Sequence, residues 1–378
     1  MLNILSGSFL SYFSSLDDHR EQCKVLYPLD EILLLILGGI LSGAEDFYHI
    51  SLWGKTKLAY LRGFLPFKHE IPSHDTLNHV MNELDTGAFT AIFEQWLLNL
   101  RDKNPEIIAV DGKTSRRAHG SGEDDKALHV VSAWASRQRL VLGQEACAEK
   151  SNEITAIPLL LERIDLKGAL VTIDAMGCQT KIADKIIEQG GDYLFGLKDN
   201  QRSLAREVET YFDDKPLKTA YFETLDGDHG RIELRKHTVS TDIDWLIGTK
   251  NATGEPRFRN LTSIGMIENE ITHKKSGEIT KSRRLYISSL ALDAEFFAKA
   301  ARAHWGVENR LHWMLDVVFH DDLMRLRTEN GAKNMAIIKH SALNLIKLHP
   351  KKGSFKGKQK LAGWDEKFLK EILTQKYQ

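Results

Sequence analysis

Three acidic residues occupy positions from which they could bind divalent metal ions. Asp111 follows the apolar run Ile107–Val110, and Asp174 follows the apolar run Leu170–Ile173. Because the carboxyl ends of neighbouring strands meet at one edge of an α/β sheet, we expect these two carboxylates to lie close together. Glu308, in a predicted helix far downstream, is the third candidate. Clustered carboxylates suit Mg²⁺ or Mn²⁺, and these ions support phosphoryl transfer.

The role of Glu308 has competing interpretations. His304, Glu308 and His312 lie at steps of four, so neighbouring pairs share a helix face. A zinc site made of these three is one alternative, although the strand-end aspartates favour a metal that prefers oxygen ligands. A salt bridge with Arg302 or a satisfied buried network is another. Other nearby acids compete for the place of third ligand: Asp316, Asp321, Asp322 and Glu329.

Basic and amide side chains flank these acids, as binding of a phosphate-rich polymer requires. Taken singly, each is more often a solvated surface group. The candidate DNA contacts are Lys113, Arg116, Arg117, Lys198, Asn200, Arg231, Arg235, Lys351 and Lys352. The last two belong to an acid-free C-terminal stretch that predicts either a phosphate-contacting tail or a frayed, solvated one. The sequence Asp111-Gly112-Lys113-Thr114 is not a P-loop, because Ile107 stands where that motif needs glycine.

Composition describes an ordinary globular protein rather than a uniformly basic nucleic-acid binder. The formal net charge is −1, with 42% hydrophobic and 27% charged residues. Three scattered cysteines fit neither a disulfide framework nor a zinc motif, which favours a reducing cytoplasm. The longest apolar run, residues 32–41, is too short for a membrane span of about 20 residues, so we predict a buried helix and no membrane partner.

Helical signals fill the first hundred residues. Asp30 is a plausible N-cap for the apolar run, and Ser73-His74-Asp75 opens a second helix over about 75–84. A third helix over 86–100 carries Phe89, Phe93 and Trp96 with helical spacing. Short helices of this kind form either a helix-turn-helix-like DNA reader or a bundle that only packs on the next domain.

From residue 106 the pattern changes to strands. Apolar runs at 107–111, 128–134 and 139–145 precede a helix, the strand before Asp174, another helix and a strand at 193–197. This β-β-β-α-β-α-β order is that of a ribonuclease H-like core, in which the first and fourth strands are adjacent. The fold class predicted is therefore α/β, a ribonuclease H-like catalytic core with a β-strand insertion, preceded by a helical N-terminal domain. The predicted boundaries are 1–102, 103–346 with the insertion at about 205–290, and a basic tail at 347–378.

Several long strings resemble the H-repeat-associated insertion-sequence transposases, a branch of the DDE transposases. They include residues 27–34, 71–76, 109–114, 149–158, 174–179, 190–195 and 304–313, so the resemblance covers nearly the whole chain. It implies a DDE triad at Asp111, Asp174 and Glu308. One departure concerns related transposases that carry a Tyr and an Arg before the Glu and a Lys seven residues after it. Position 304 is His and position 315 is Leu here. This departure argues against transferring the hairpin-type DNA cleavage of those relatives to this chain.

The resemblance implies a metal-dependent DNA transposase that cuts at element ends and joins the freed 3′-OH to target DNA. Asp111 is expected to bridge two Mg²⁺ (or Mn²⁺) ions, with Asp174 and Glu308 each completing one. The expected partners are the element's terminal repeats, target DNA and a second copy of the chain, because joining two ends needs two active sites. Two alternatives stay open: a DNA-binding relic that no longer catalyses, and a metal-dependent nuclease that cuts without joining.

Overall fold

A single nine-stranded mixed sheet forms the centre of the protein. The structure is a computed structural model and describes residues 8–102, 104, 106–118, 127–147, 152–214, 218–228, 230–246, 257–323, 326 and 328–376. The strand order is β3-β2-β1-β4-β5-β9-β8-β7-β6. The strands are β1 Ile107–Ser115, β2 Leu128–Ala135, β3 Leu140–Ala146, β4 Leu170–Ile173, β5 Asp192–Leu197, β6 Ala220–Asp228, β7 Arg231–Ser240, β8 Ser263–His273 and β9 Ile279–Ser288.

The first five strands confirm the predicted ribonuclease H-like order. β1 pairs antiparallel with β2 and parallel with β4, so Val110 lies beside Ile173. β4 in turn pairs parallel with β5. Because β1 and β4 are adjacent and run the same way, Asp111 and Asp174 follow directly after a matched pair of residues. The apolar runs located the strands, and their ribonuclease H-like order predicted this placement.

The predicted β insertion is present and extends the same sheet. β9 pairs antiparallel with β5, and β8, β7 and β6 continue outward by antiparallel pairing. Its predicted start at about 205 falls inside a helix, since residues 202–213 are helical. The outermost strand, β6, was not predicted from the sequence.

Helices cover both faces of the sheet. Ile108 and Val110 pack in a core that includes Ile157 and Ile182. Ala109, on the opposite face of β1, packs in a second core with Val307. The helices are α1 Leu10–Phe13, α2 Leu29–Leu41, α3 Phe47–Thr56, α4 Leu58–Leu61, α5 His74–Glu83, α6 Thr86–Leu100, α7 Glu153–Glu162, α8 Thr180–Glu188, α9 Arg202–Asp213, α10 Ala294–Gly306, α11 Trp313–Val317, α12 Glu329–Leu348, α13 Phe355–Trp364 and α14 Glu366–Thr374.

The N-terminal helices form the predicted bundle and share one core with α12. Ser73 caps α5, because its side-chain oxygen accepts a hydrogen bond from the backbone N–H of Thr76. Asp30 is not the N-cap of α2: the helix begins at Leu29 after Pro28, and Asp30 lies in its first turn. Proline preorganises the chain for a helix start, so the side-chain cap is dispensable.

Most of the C-terminal segment expected to be a basic tail is helical. Helices α13 and α14 follow α12, and Phe368, Leu369 and Ile372 are buried in the core shared with the N-terminal bundle. The apolar spacing of α14 accounts for this docking, which the lysine content of the segment obscures. Within the described residues, no helix is both long and apolar enough to span a membrane.

Candidate active site

Asp111 lies on the sheet face that is covered by the segment carrying Glu308. Side chains alternate along a strand, so Asp111 shares the face of Ala109, and Ala109 packs with Val307 and Leu311. Glu308 lies between these two apolar residues. Asp111 and Asp174 follow the adjacent parallel strands β1 and β4, and Glu308 lies on the segment that packs over β1. The charges of Asp174 and Glu308 both raise the pKa of Asp111.

Asp174 is fixed by a turn of its own backbone. Its Oδ1 accepts hydrogen bonds from the backbone N–H groups of Met176 (2.9 Å) and Gly177 (3.2 Å). A Cβ at position 177 would lie 2.2 Å from Ile173 Cγ2, so the absent side chain of Gly177 serves packing within the protein. Asn200 donates hydrogen bonds to the carbonyl oxygens of Ala175 and Cys178 and braces the same loop.

Glu308 stands in a π-helical turn rather than in one continuous helix. The predicted helix over 293–315 is divided into α10, the π turn Val307–His312, and α11. Val307, Leu311 and Leu315 are all buried, and their spacing of four drifts around a regular α-helix. π turns recur at functional sites, and this one leaves Glu308 exposed beside buried neighbours.

The two histidines near Glu308 have separate partners. His304 Nδ1 lies 3.1 Å from Thr172 Oγ1, which joins α10 to β4 two residues before Asp174. Burial lowers the pKa of His304 although the charge of Asp174 opposes this. His312 Nδ1 lies 3.7 Å from Asp111 Oδ2, and its Nε2 is buried without a hydrogen-bond partner. Burial lowers the pKa of His312 to about 4, so the ring is neutral at pH 7.

Asp111 is a crowded and partly buried carboxylate. Burial, together with the charges of Glu153, Asp174 and Glu308, raises its pKa to about 7, against a backbone hydrogen bond from Gly112 that lowers it. Such a carboxylate is costly as an isolated anion. A cation held between Asp111 and its neighbours would remove that cost, so the donor set fits a divalent metal ion.

Glu153, the first residue of α7, was not predicted as a site residue. Its Oε1 lies 2.7 Å from His129 Nε2, and His129 Nδ1 lies 2.7 Å from Thr114 Oγ1. A Cβ at position 112 would lie 2.2 Å from Glu153 Oε1, so Gly112 makes room for this pair. An acid in the first turn of a helix is common for electrostatic reasons, which leaves no signal specific to a site.

A second acidic cluster is formed by residues that follow the π turn in the sequence. Asp316, Asp321 and Asp322 form the one group within the described residues whose ligand atoms all lie within 4.8 Å of one another. Lys113 Nζ lies 2.7 Å from Asp316 Oδ1 and 3.4 Å from an oxygen of each of the others. Lys339 Nζ donates to Asp321 Oδ1 at 2.7 Å. Burial alone would raise the pKa of Asp321, but these two lysines hold it below its usual range. The protein therefore supplies its own cations here.

The sequence-predicted basic and amide residues lie in several different places. The Lys113 side chain is only 11% exposed within the acidic cluster, whereas Arg116 stays exposed while contacting Asp322. Arg117, Lys198, Lys351 and Lys352 are exposed at separate positions. Arg231 and Arg235 line a groove of about 730 Å³ between the β insertion and α10, and Asn309 reaches that groove too. Arg235 is already paired with Asp226 and Glu233.

Two family models match this chain and together cover most of it. The model described as "Transposase DDE domain" matches residues 102–345, which contain all three candidate carboxylates. The chain belongs to the DDE transposase family. The model described as "DDE_Tnp_1-associated" matches residues 10–97, the region of the N-terminal bundle. The family therefore accounts for both the helical region and the sheet domain.

Relatives from Escherichia coli K12 match over long stretches. The "H repeat-associated putative transposase YhhI" is 38% identical over 377 residues, covering 97% of each chain. The similarly named YbfD is 38% identical over 242 residues, covering 63% of this chain and 96% of its own. The "Inactive transposase YbfQ" is 35% identical over 74 residues, covering 20% and 88% respectively. A solved piggyBac transposase synaptic complex with hairpin DNA matches at a TM-score of 0.44 and 11% identity, covering 98% of this chain and 79% of that one, too weakly to support an inference.

Proposed function

We propose that this DDE transposase family member cleaves DNA at the ends of an insertion sequence and joins the freed 3′-OH to target DNA. The observation that carries the proposal is that Asp111 and Asp174 follow adjacent parallel strands while Glu308 lies on the π turn packed over β1, with the pKa of Asp111 raised to about 7. Crowded carboxylates of this kind are typical of metal-dependent phosphoryl transfer.

The proposed metal ligands are Asp111, shared between two Mg²⁺ or Mn²⁺ ions, with Asp174 and Glu308 each completing one. All three would offer carboxylate oxygens, the donors that Mg²⁺ and Mn²⁺ prefer. When bound, such ions lower the pKa of attacking water and stabilise the leaving 3′ oxygen.

The surrounding residues hold the ligands in place. The turn at Met176 and Gly177 occupies Asp174 Oδ1 and leaves Oδ2 as the oxygen for a ligand contact. The contact between His304 and Thr172 ties the helix before Glu308 to the strand before Asp174. Preorganised ligands of this kind lose little entropy when the reaction centre assembles.

DNA is the proposed partner, with two copies of the chain acting together in the cytoplasm at the nucleoid. The exposed residues Arg116, Arg117, Lys198 and Arg231 are suited to phosphate contacts around the site. Joining two element ends requires two active sites, which supports a dimer on DNA.

Two other functions remain as rivals. A DNA-binding relic would bind without cutting, and one relative carries the name "Inactive transposase YbfQ". A nuclease would cut without joining. The retention of all three candidate carboxylates favours the active enzyme over the relic.

A strand-transfer assay tests the proposal. Linear DNA ending in the element's terminal repeats is mixed with a plasmid target, the protein, and either Mg²⁺ or EDTA. We expect joined product only with Mg²⁺, and none from Asp111→Asn, Asp174→Asn or Glu308→Gln, each of which should still bind element ends. The matched control is Asp316→Asn, which removes a carboxylate from the second acidic cluster.

The outcomes separate the candidates. Loss of joining in the triad variants with activity retained in Asp316→Asn supports the assignment. The reverse pattern would place the metal in the second acidic cluster. Cut but unjoined DNA identifies a nuclease, and binding alone identifies a relic.

A further inference from the structure

A second cavity, of about 310 Å³, lies on the far side of the π turn from the β insertion. Four cationic side chains from four different elements line it, and we call this set the cationic groove: Arg139 from the β2–β3 turn, Arg310 from the π turn, Lys347 from α12 and Lys358 from α13. Trp313, which is 52% exposed, and Phe355 add aromatic surface. No element of the chain contributes more than one of the four charges.

No acid balances these charges among the described residues. The described lining contains no Asp or Glu, and Arg139, Arg310 and Lys347 make no ion pair with a described carboxylate. Lys358 differs, because its Nζ donates hydrogen bonds to the carbonyl oxygens of Ile346 (3.2 Å) and His349 (2.7 Å). Burial lowers the pKa of Lys347, and the charges of Arg139 and Arg310 lower it further. Like charges therefore lie near one another in this groove, and their repulsion is unfavourable. In the larger groove, by contrast, Arg235 is neutralised by two acids.

Two local features show that packing alone does not explain the groove. Arg139 has a φ of 60°, a left-handed conformation that glycine or asparagine adopts more readily. The indole Nε1 of Trp134, a residue that also lines the cavity, is buried without a hydrogen-bond partner. Arg139 therefore brings its charge, from a backbone conformation that is uncommon for a residue with a side chain, to a cavity that three other cations also line.

We propose that the cationic groove binds the phosphates of a DNA strand, with Trp313 offering a stacking surface to a base. Guanidinium groups hold phosphate through paired hydrogen bonds, and an exposed indole stacks on any base. The assignment to DNA rests on the proposed function, because Arg310 stands two residues after Glu308 on the same turn. The binding of an anion does not depend on it.

The test measures binding of a fluorescently labelled DNA duplex in EDTA, without catalysis, between about 50 and 200 mM salt. The test variant is Arg139→Asn with Lys347→Gln, since asparagine tolerates the φ of position 139. The matched control is Lys167→Gln with Lys185→Gln, which removes two cations from outside the groove. Urea unfolding midpoints establish that both double variants fold. Arg139→Lys tests whether charge alone suffices.

We expect the plot of log affinity against log salt concentration to become shallower by about 2 in the groove variant. Its affinity should drop about tenfold or more, whereas the control variant should stay close to wild type. Arg139→Lys should recover the slope. Equal slopes for the two double variants would overturn the proposal.

Inorganic phosphate is added at matched ionic strength in a parallel thermal-unfolding experiment. Phosphate protection that the groove variant loses, with unchanged DNA slopes, would reveal a small-anion site instead. If the wild-type protein joins no strands but the two double variants still differ in slope, the proposed function is refuted and the groove is still an anion-binding site.

Discussion

At the scale of single residues, the candidate site depends on a glycine beside Asp111 as well as on its carboxylates. Gly112 follows Asp111, and its missing side chain lets the Glu153–His129 pair approach the strand. This pair contributes the largest neighbouring charge that acts on Asp111. A side chain at position 112 would therefore disturb both the packing and the electrostatics around Asp111.

Gly112→Ala should destabilise the protein by about 1–3 kcal/mol, because its Cβ would lie within 2.4 Å of both Glu153 Oε1 and His129 Nε2. Gly227→Ala is the matched control, since a Cβ there meets no atom within 4 Å. Urea unfolding of both variants measures the difference. Equal stabilities would show that the Glu153–His129 pair moves aside at no cost.

His340 predicts a pH dependence of stability. Its ring is fully buried, with Nδ1 paired to the side-chain oxygen of Gln144, and burial lowers its pKa to about 3. The unfolded chain takes up this proton near pH 6.5, whereas the folded chain does not until about pH 3. The stability that the neutral ring confers is therefore complete above about pH 6.5 and is lost as the pH falls towards 3.

His340→Asn keeps a hydrogen-bond donor for Gln144 and removes the titrating ring. We expect its unfolding free energy to fall less than that of the wild type between about pH 7 and pH 4. The exposed His79→Asn serves as the control and should follow the wild type. Parallel pH profiles for wild type and His340→Asn would show that other groups dominate the acid response.

At the scale of elements, sequence patterns predicted the strands better than the helix that carries Glu308. Apolar runs ending at Asp111 and Asp174 located both residues, because strand pairing then places their ends together. The π turn has no comparable local signal, since it arises from the burial of Val307, Leu311 and Leu315 against other elements. The partners of Lys113 are likewise set by tertiary packing, as Asp316 is remote from it in sequence.

Helix α12 shows how one buried element completes the backbone hydrogen bonding of the sheet. Asn344 donates from Nδ2 to the carbonyl of Val141 and accepts at Oδ1 from the N–H of the same residue, each at 2.9 Å. Val141 lies on β3 at the edge of the sheet, next to a register shift against β2. Both of its backbone groups would otherwise be buried without a partner.

Asn344→Ala should therefore cost about 2–4 kcal/mol of unfolding free energy, because it leaves two buried backbone groups unsatisfied. Asn99→Ala removes an amide that is exposed on α6 and should change stability by no more than about 0.5 kcal/mol. Chemical denaturation compares them directly. A small effect at position 344 would mean that the backbone of Val141 finds another partner.

At the scale of the whole molecule, the family boundary near residue 100 does not separate two cores. Buried side chains of α2, α5 and α6 belong to one cluster with Ala109 and Trp134 of the sheet and with buried residues of α12 and α14. Asn334 of α12 also donates hydrogen bonds to the carbonyl oxygens of Met81 and Leu84. The N-terminal bundle therefore covers surface that the catalytic sheet and α12 would otherwise expose.

This shared core predicts that the fragments 1–102 and 103–378 do not fold independently. Each would expose a large apolar face, and burial of apolar surface supplies most of the folding free energy. We expect the intact protein to unfold in one calorimetric transition and the isolated 103–378 fragment to lack near-ultraviolet circular dichroism. Adding the 1–102 fragment should restore the signal if the shared core alone is missing. A 103–378 fragment that unfolds cooperatively by itself would show that the sheet is stable without the bundle. The bundle would then be free to move on DNA independently of the active site.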